Sequence, residues 1–254
     1  MSFAVAASAY DAFMGRFSGP LSRALVERLP IGPGQRAVDV GCGPGALTSL
    51  LVERLGAASV AAVDPSTSFV EALGSRLPGV DVRRGGAESL PWPDASFDLA
   101  TANLVVNFMA DPVAGLREMA RVTRGGTVAA TLWNLAPEHG PLGFFFAAVH
   151  DLDPQGPHED HLPGARPGQL VQLFRDAGLA DVTEEAVDLS VGFPSLEEWW
   201  HPFTLGVGPA GVYVASLDEA HREALMRRCG ERLGVTGDGP VDVPVRARLV
   251  TARA

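Results

Sequence analysis

The chain has 254 residues, 46% of them apolar, and a formal net charge of −10, which suits one α/β domain with a sizeable core. All 20 basic residues are arginine, so Schiff-base and pyridoxal-phosphate chemistry and lysine-dependent phosphate loops are excluded. The acidic balance argues against a nucleic-acid partner, and two cysteines, Cys42 and Cys229, make neither a disulfide framework nor a thiolate zinc site.

The N-terminal run through Phe17 has no basic segment and is broken by Asp11, which predicts no signal peptide. No apolar run approaches the ~20 residues of a membrane span, so a soluble, cytoplasmic protein is expected. Leu21, Leu25, Val26 and Leu29 recur at helical spacing before Pro30. Residues 36–40 read as a short buried strand that ends in a glycine cluster. Leu47, Leu50, Leu51 and Leu55 then line a helix stopped by Gly56. A second strand is predicted over 59–63, followed by a helix carrying Phe69, Val70, Leu73 and Leu77. Further strands are predicted over 80–84, 97–103 and 127–133, the last after the turn Arg124-Gly125-Gly126. Beyond Trp133 come a helix over 142–152, a Pro/Gly-rich loop, a helix from Leu170 to Ala177 and a sixth strand over 181–189. An aromatic insertion over 194–234 holds a helix from about Asp218 to Leu233, and 243–251 alternate as a last strand. Strands alternating with helices predict a parallel sheet covered on both faces.

The strongest chemical signal is Asp39-Val40-Gly41-Cys42-Gly43-Pro44-Gly45-Ala46, set between a strand and a helix. Glycines there let backbone N–H groups approach a ligand at a helix N-terminus. Gly41, Gly43 and Ala46 also satisfy the dinucleotide fingerprint, and Asp64 at the end of the second strand could hold a ribose in either case. Three features decide between these. Asp39 ends the first strand, where a carboxylate can pair with a cationic amino-acid moiety. The run from Ala87 through Leu90-Pro91-Trp92 to Phe97-Asp98 leads into the fourth strand, and Arg-Gly-Gly precedes the fifth.

Together these residues resemble the class I S-adenosylmethionine-dependent methyltransferases, most strongly over 36–134. The resemblance implies a Rossmann-like, seven-stranded mixed sheet with helices on both faces and helical lid insertions. It implies S-adenosylmethionine as cofactor and S-adenosylhomocysteine as product. Asp39, Gly41 and Gly43 would cradle the methionine part, Asp64 would accept both ribose hydroxyls, and Pro65 and Ser66 would flank the adenine. Ala87 and Glu88 would lie beside the adenine edge. The family often has Asp before that pair, where this chain has Gly86, which removes an acceptor for the adenine amino group. Asn103 would stand near the transferable methyl, and Tyr10 and Arg16 belong to an N-terminal segment that folds over the cofactor.

The domain expected spans 1–254: cap helices in 1–30, a cofactor-binding core in 31–135, and a last strand in 235–254. Insertions at 136–166 and 194–234 would form the lid and acceptor pocket, the second inserted between the sixth and seventh strands, which would form the antiparallel end of the sheet. Trp133, Phe144, Phe145, Phe146, Trp199, Trp200, Phe203 and Tyr213 could line that pocket or simply form core. His201 and His139 are the candidate bases, the alternative being surface histidines. The run His158-Glu159-Asp160-His161 lies in a loop without a helix to fix metal geometry, and no metal is expected. The reaction expected is methyl transfer to an O, N or C nucleophile of a small, largely apolar molecule. Two alternatives remain at this point: a nicotinamide-dependent oxidoreductase, or a protein of this fold that binds the cofactor without methylating.

Overall fold

The computed structural model describes residues 14–136, 138–158, 161–206, 208–235, 237 and 239–254. Its described strands form one seven-stranded sheet in the order β3-β2-β1-β4-β5-β7-β6. Strands β1 (Ala37–Val40), β2 (Val60–Asp64), β4 (Leu99–Asn103) and β5 (Thr127–Trp133) are parallel, with Asp39 opposite Ala62 and Thr101. All residues of β1 and β2 are buried, the consequence of helices covering both faces. Strand β3 (Asp81–Arg84) closes one edge and is short, charged and largely exposed, as suits an edge that must not recruit another strand. Strand β7 (Val241–Arg253) runs antiparallel between β5 and β6 (Ala180–Phe193). The last two strands therefore make the antiparallel end, and both are longer than the sequence pattern predicts.

Helices α1 (Arg16–Arg28) and α2 (Ala46–Leu55) pack on one face, with Leu21, Leu25, Leu47 and Leu51 in its core. Helix α3 (Thr67–Arg76) starts at Ser66, whose hydroxyl caps Phe69 N–H at 3.5 Å. Helix α4 (Pro112–Val122) is a further element, beyond those predicted above. Its signals are nevertheless local: Asp111 caps Ala114 N–H at 3.0 Å, Pro112 opens the first turn, and Leu116, Met119 and Val122 are buried. It packs with α6 (Gln169–Asp176) on the opposite face.

The remaining helices are α5 (Gly143–Leu152), α7 (Leu196–Trp200), α8 (Gly208–Ser216) and α9 (Glu219–Arg232), with a 3₁₀ turn at His201–Leu205. The two insertions pack on each other. Phe145 stacks on Phe203 with ring centroids 4.6 Å apart, and Asp151 bridges Arg228 and Arg232 at 2.5 and 2.7 Å. Burial of Trp199, Trp200, Phe144, Phe145 and Phe203 makes these aromatics the core that joins insertion to sheet.

Candidate functional site

In an open sheet of this order the direction of winding reverses between β1 and β4, and ligands lie beyond the carboxyl ends of strands at such a point. The glycine loop leaves β1 there. Gly41 and Cys42 donate their N–H groups to the Val63 carbonyl at 2.8 and 3.1 Å, which ties the loop to β2. Gly41, Gly43 and Gly45 all have positive φ, at 70°, 52° and 90°. They differ in what surrounds them. A Cβ on Gly41 would stand 2.5 Å from Val105, and one on Gly45 would collide with Leu73. A Cβ on Gly43 would meet nothing within 4 Å, so this glycine alone of the three borders open space where a ligand could lie.

Two carboxylates lie behind the loop. Asp39 is 1% exposed and accepts the Thr48 hydroxyl at 2.7 Å. Burial, opposed by that hydrogen bond and reinforced by Asp64, pushes its pKa up to about 7. Asp64 accepts Gly43 N–H at 2.9 Å on one oxygen and Ser66 N–H at 2.8 Å on the other, and burial again raises its pKa. Each oxygen keeps a further lone pair for a ligand hydroxyl. Cys42 is buried and its thiol is pushed up by the same desolvation, which makes it a packed, protonated residue and no nucleophile. Pro65 is exposed next to Asp64.

The wall beside Asp64 is built from the segment after β3. Gly85 N–H donates to the Asp64 carbonyl at 3.1 Å, and the Glu88 carboxylate accepts Ala110 N–H at 2.8 Å. Helix α4 supports this segment from behind. Arg121 donates to the carbonyls of Trp92 and Leu90 at 2.9 and 3.0 Å, while Glu118 accepts Leu90 N–H at 2.8 Å. Neither residue's role shows in the sequence, because these backbone partners lie 28 to 31 positions away.

At the end of β4, Asn103 is bonded on both sides: its amide donates to Ser22 at 3.0 Å and accepts from Thr131 at 2.5 Å. Its side chain thus holds α1 to β4 and β5, and Leu104, with φ 64°, turns the chain away. Arg16 opens α1 with its guanidinium 5.2 Å over the Phe193 ring and 3.6 Å from Glu198. Tyr10 lies outside the described residues.

The structure gathers Asp39, Gly41, Gly43, Asp64, Ser66, Ala87 and Glu88 around the switch point. The two histidines are placed differently. His201 is an exposed residue at the start of the 3₁₀ turn, with its carbonyl bonded to Thr204. His139 is exposed in the turn after β5, near enough to help hold the Asp188 carboxyl below its ordinary range behind Arg246. Among the described residues no group of three His, Cys, Asp or Glu could hold a metal ion. A cavity of about 440 Å³ lined by Arg28, Asp98, Gly126 and Arg253 opens at the amino ends of β4 and β5, the end away from the glycine loop.

The family described as "Methyltransferase domain" matches residues 38–131, which is the stretch from β1 to β5. The chain is 34% identical over 241 residues to a trans-aconitate 2-methyltransferase of Rhizobium etli, covering 91% of this chain and 90% of that protein. It is 31% identical to the nocamycin O-methyltransferase of Saccharothrix syringae, over 78% of each chain. With a trans-aconitate 2-methyltransferase of Rhizobium rhizogenes it is 39% identical, but over only 35% of this chain and 34% of that protein's length. Among solved structures, an Anabaena variabilis protein described as a putative methyltransferase from an antibiotic biosynthesis pathway superposes with a TM-score of 0.60. That pair is 18% identical, over 92% of this chain and 97% of the other, and so carries the fold alone.

Proposed function

This chain belongs to the class I S-adenosylmethionine-dependent methyltransferases, and from that premise we propose that it methylates an O, N or C nucleophile of a small, largely apolar molecule. The observation that carries the reading is the loop itself, with Gly43 bordering open space while Asp64 fixes its N–H from below. When bound, S-adenosylmethionine supplies an electrophilic methyl on a sulfonium, and the sulfur keeps the C–S bonding pair as the methyl leaves. The chain's part is to hold and align. Asp64 would accept the ribose hydroxyls, Gly41 and Gly43 would present backbone to the methionine part, and Asp39 would face its ammonium through the loop. Pro65, Ser66, Ala87 and Glu88 would border the adenine. Asn103 would act by fixing the end of β4 beside the methyl.

The insertions at 136–166 and 194–234 would close the acceptor side and residues 1–30, with Tyr10 and Arg16, the cofactor side. A net charge of −10 disfavours nucleic acid as the acceptor. Buried, unpaired Cys42 and Cys229 suit a reducing, cytoplasmic setting, and no helix among the described residues is long and apolar enough to cross a membrane. His201 or His139, both exposed, would orient the acceptor or accept its proton. The nicotinamide reading loses its ground, since the relatives that span most of the chain are named as methyltransferases. Incubation with methyl-labelled S-adenosylmethionine and a panel of phenols, carboxylic acids and amines tests the proposal. Label in an organic product supports it, and label confined to protein or solvent across the panel counts against it.

A further inference from the structure

The cavity of about 440 Å³ at the amino ends of β4 and β5 lies at the far end of the sheet from the glycine loop, and nothing in the proposed transfer uses it. Its size is that of a small-molecule site. Across the sheet its lining runs from Asp98, just before β4, through Thr127 of β5 and Arg253 of β7 to Asp181 of β6. Arg28, the last residue of α1, lines it too. Two of these charges are already engaged. Arg28 donates to the Ala24 carbonyl at 2.9 Å and stands 3.4 Å from the Glu185 carboxylate, and Asp98 accepts Arg36 N–H at 2.8 Å. The Arg253 guanidinium and the Asp181 carboxylate have no hydrogen-bond or ion-pair partner among the described residues.

The backbone brings these two groups to one place at a shift of register. Pairing of β6 with β7 steps from Ala180 opposite Arg253 to Thr183 opposite Thr251, so β6 carries one extra residue in a bulge. Asp181 stands in that bulge with φ 51°, a left-handed conformation uncommon outside glycine. Neighbouring strands lie only about 4.8 Å apart. The two opposite charges nevertheless line one cavity without pairing to each other.

We propose that this cavity binds a free α-amino acid, with its carboxylate on Arg253 and its ammonium on Asp181. A guanidinium takes a carboxylate through two parallel N–H···O bonds, and a carboxylate, which only accepts, suits an ammonium with three donors. The balance of charge in the lining selects the zwitterion. A dianion would meet Asp98 and Asp181, and a simple cation would meet Arg28 and Arg253. The site stands apart from the glycine loop, so the inference does not depend on which cofactor that loop holds.

Thermal melting of the full chain with each of the standard amino acids at about 10 mM tests this. At least one should raise the melting temperature, and calorimetry then gives the affinity of the best. Its N-acetyl and carboxamide derivatives, each lacking one charge, should bind about tenfold or more weakly. Arg253→Gln and Asp181→Asn should each weaken the amino acid by a similar factor, asparagine being chosen because it tolerates the left-handed backbone. S-adenosylhomocysteine affinity should be the same in both variants as in the wild type, and unchanged when the amino acid is present. A panel in which no amino acid stabilises the protein would overturn the proposal, as would blocked derivatives that bind equally well or variants that keep full affinity. Displacement of the amino acid by S-adenosylhomocysteine would also overturn it, by moving the binding to the glycine-loop end of the sheet.

Discussion

The Asp64 carboxylate accepts the backbone N–H of Gly43 at 2.9 Å, so a side chain from β2 sets the position of the glycine that borders the ligand space. One residue thus serves both the loop and the proposed ribose contact. Asp64→Ala removes a charged acceptor from two ribose hydroxyls, a loss of ~2–4 kcal/mol in S-adenosylhomocysteine affinity. Asp64→Asn keeps one acceptor oxygen and should lose less. Calorimetry that found Asp64→Ala binding like the wild type would take Asp64 out of the site.

The glycines of the loop separate stability from binding. Gly41→Ala drives a methyl to within 2.5 Å of Val105 at a positive φ, and should cost roughly 2–4 kcal/mol of fold stability. Gly43→Val adds its side chain to open space, so the fold should lose only about 1–2 kcal/mol for the φ of 52°. Ligand binding should vanish in the second variant. A Gly43→Val protein with wild-type affinity would mean the ligand lies elsewhere.

How far the sequence alone could take this depended on whether a signal was local. Strand β5 appears over the predicted 127–133 because a glycine turn precedes it and Trp133 ends its apolar run. The α4 signals are equally local: Asp111 caps the first turn and Pro112 opens it. Strand β6 runs on to Phe193, past the predicted Leu189, because its ladder with β7 continues, and that partner lies far off in the chain. In the site, Gly43 and Asp64 were legible as residue types at motif positions. The bonds of Thr48 to Asp39, Ser22 to Asn103 and Arg121 to Trp92 were not, since a hydroxyl or guanidinium carries no mark of its partner. His139 and His201 are legible by their chemistry alone, and both lie exposed.

Arg121 should matter more to stability than a half-exposed arginine ordinarily does. Its guanidinium spans Glu118 at 2.7 Å, Asp94 at 2.9 Å and the carbonyls of Leu90 and Trp92. A lysine keeps the charge but cannot reproduce the fork, so Arg121→Lys should destabilise by ~1–3 kcal/mol. The same pairing holds Glu118 below the usual carboxylate range. Its contribution is therefore present above the ordinary glutamate pKa and lost as pH falls through the lowered value. Denaturant titrations at pH 7 and pH 3 check both points. Equal stability of Arg121→Lys and wild type at pH 7 would refute the clamp.

Asp39 gives the opposite pH dependence, and one that reports on the ligand. Burial raises its pKa from 3.8 to about 7, so folding favours the protonated acid. Its contribution to stability is complete below pH 3.8 and is lost as pH rises through about 7. Above that pH the accumulated loss is on the order of 4 kcal/mol. Asp39→Asn imitates the neutral acid while keeping an acceptor for the Thr48 hydroxyl. It should leave the melting temperature unchanged near pH 4 and raise it near pH 8. A ligand ammonium close to the loop would favour the charged form and drive the proton out. Binding of S-adenosylhomocysteine near pH 7 should then release a proton, seen as a binding heat that changes between phosphate and Tris buffers. The Asn variant should release none. A wild-type heat independent of buffer would leave Asp39 as a support of the loop through Thr48, with no share in holding the amino acid part of the cofactor.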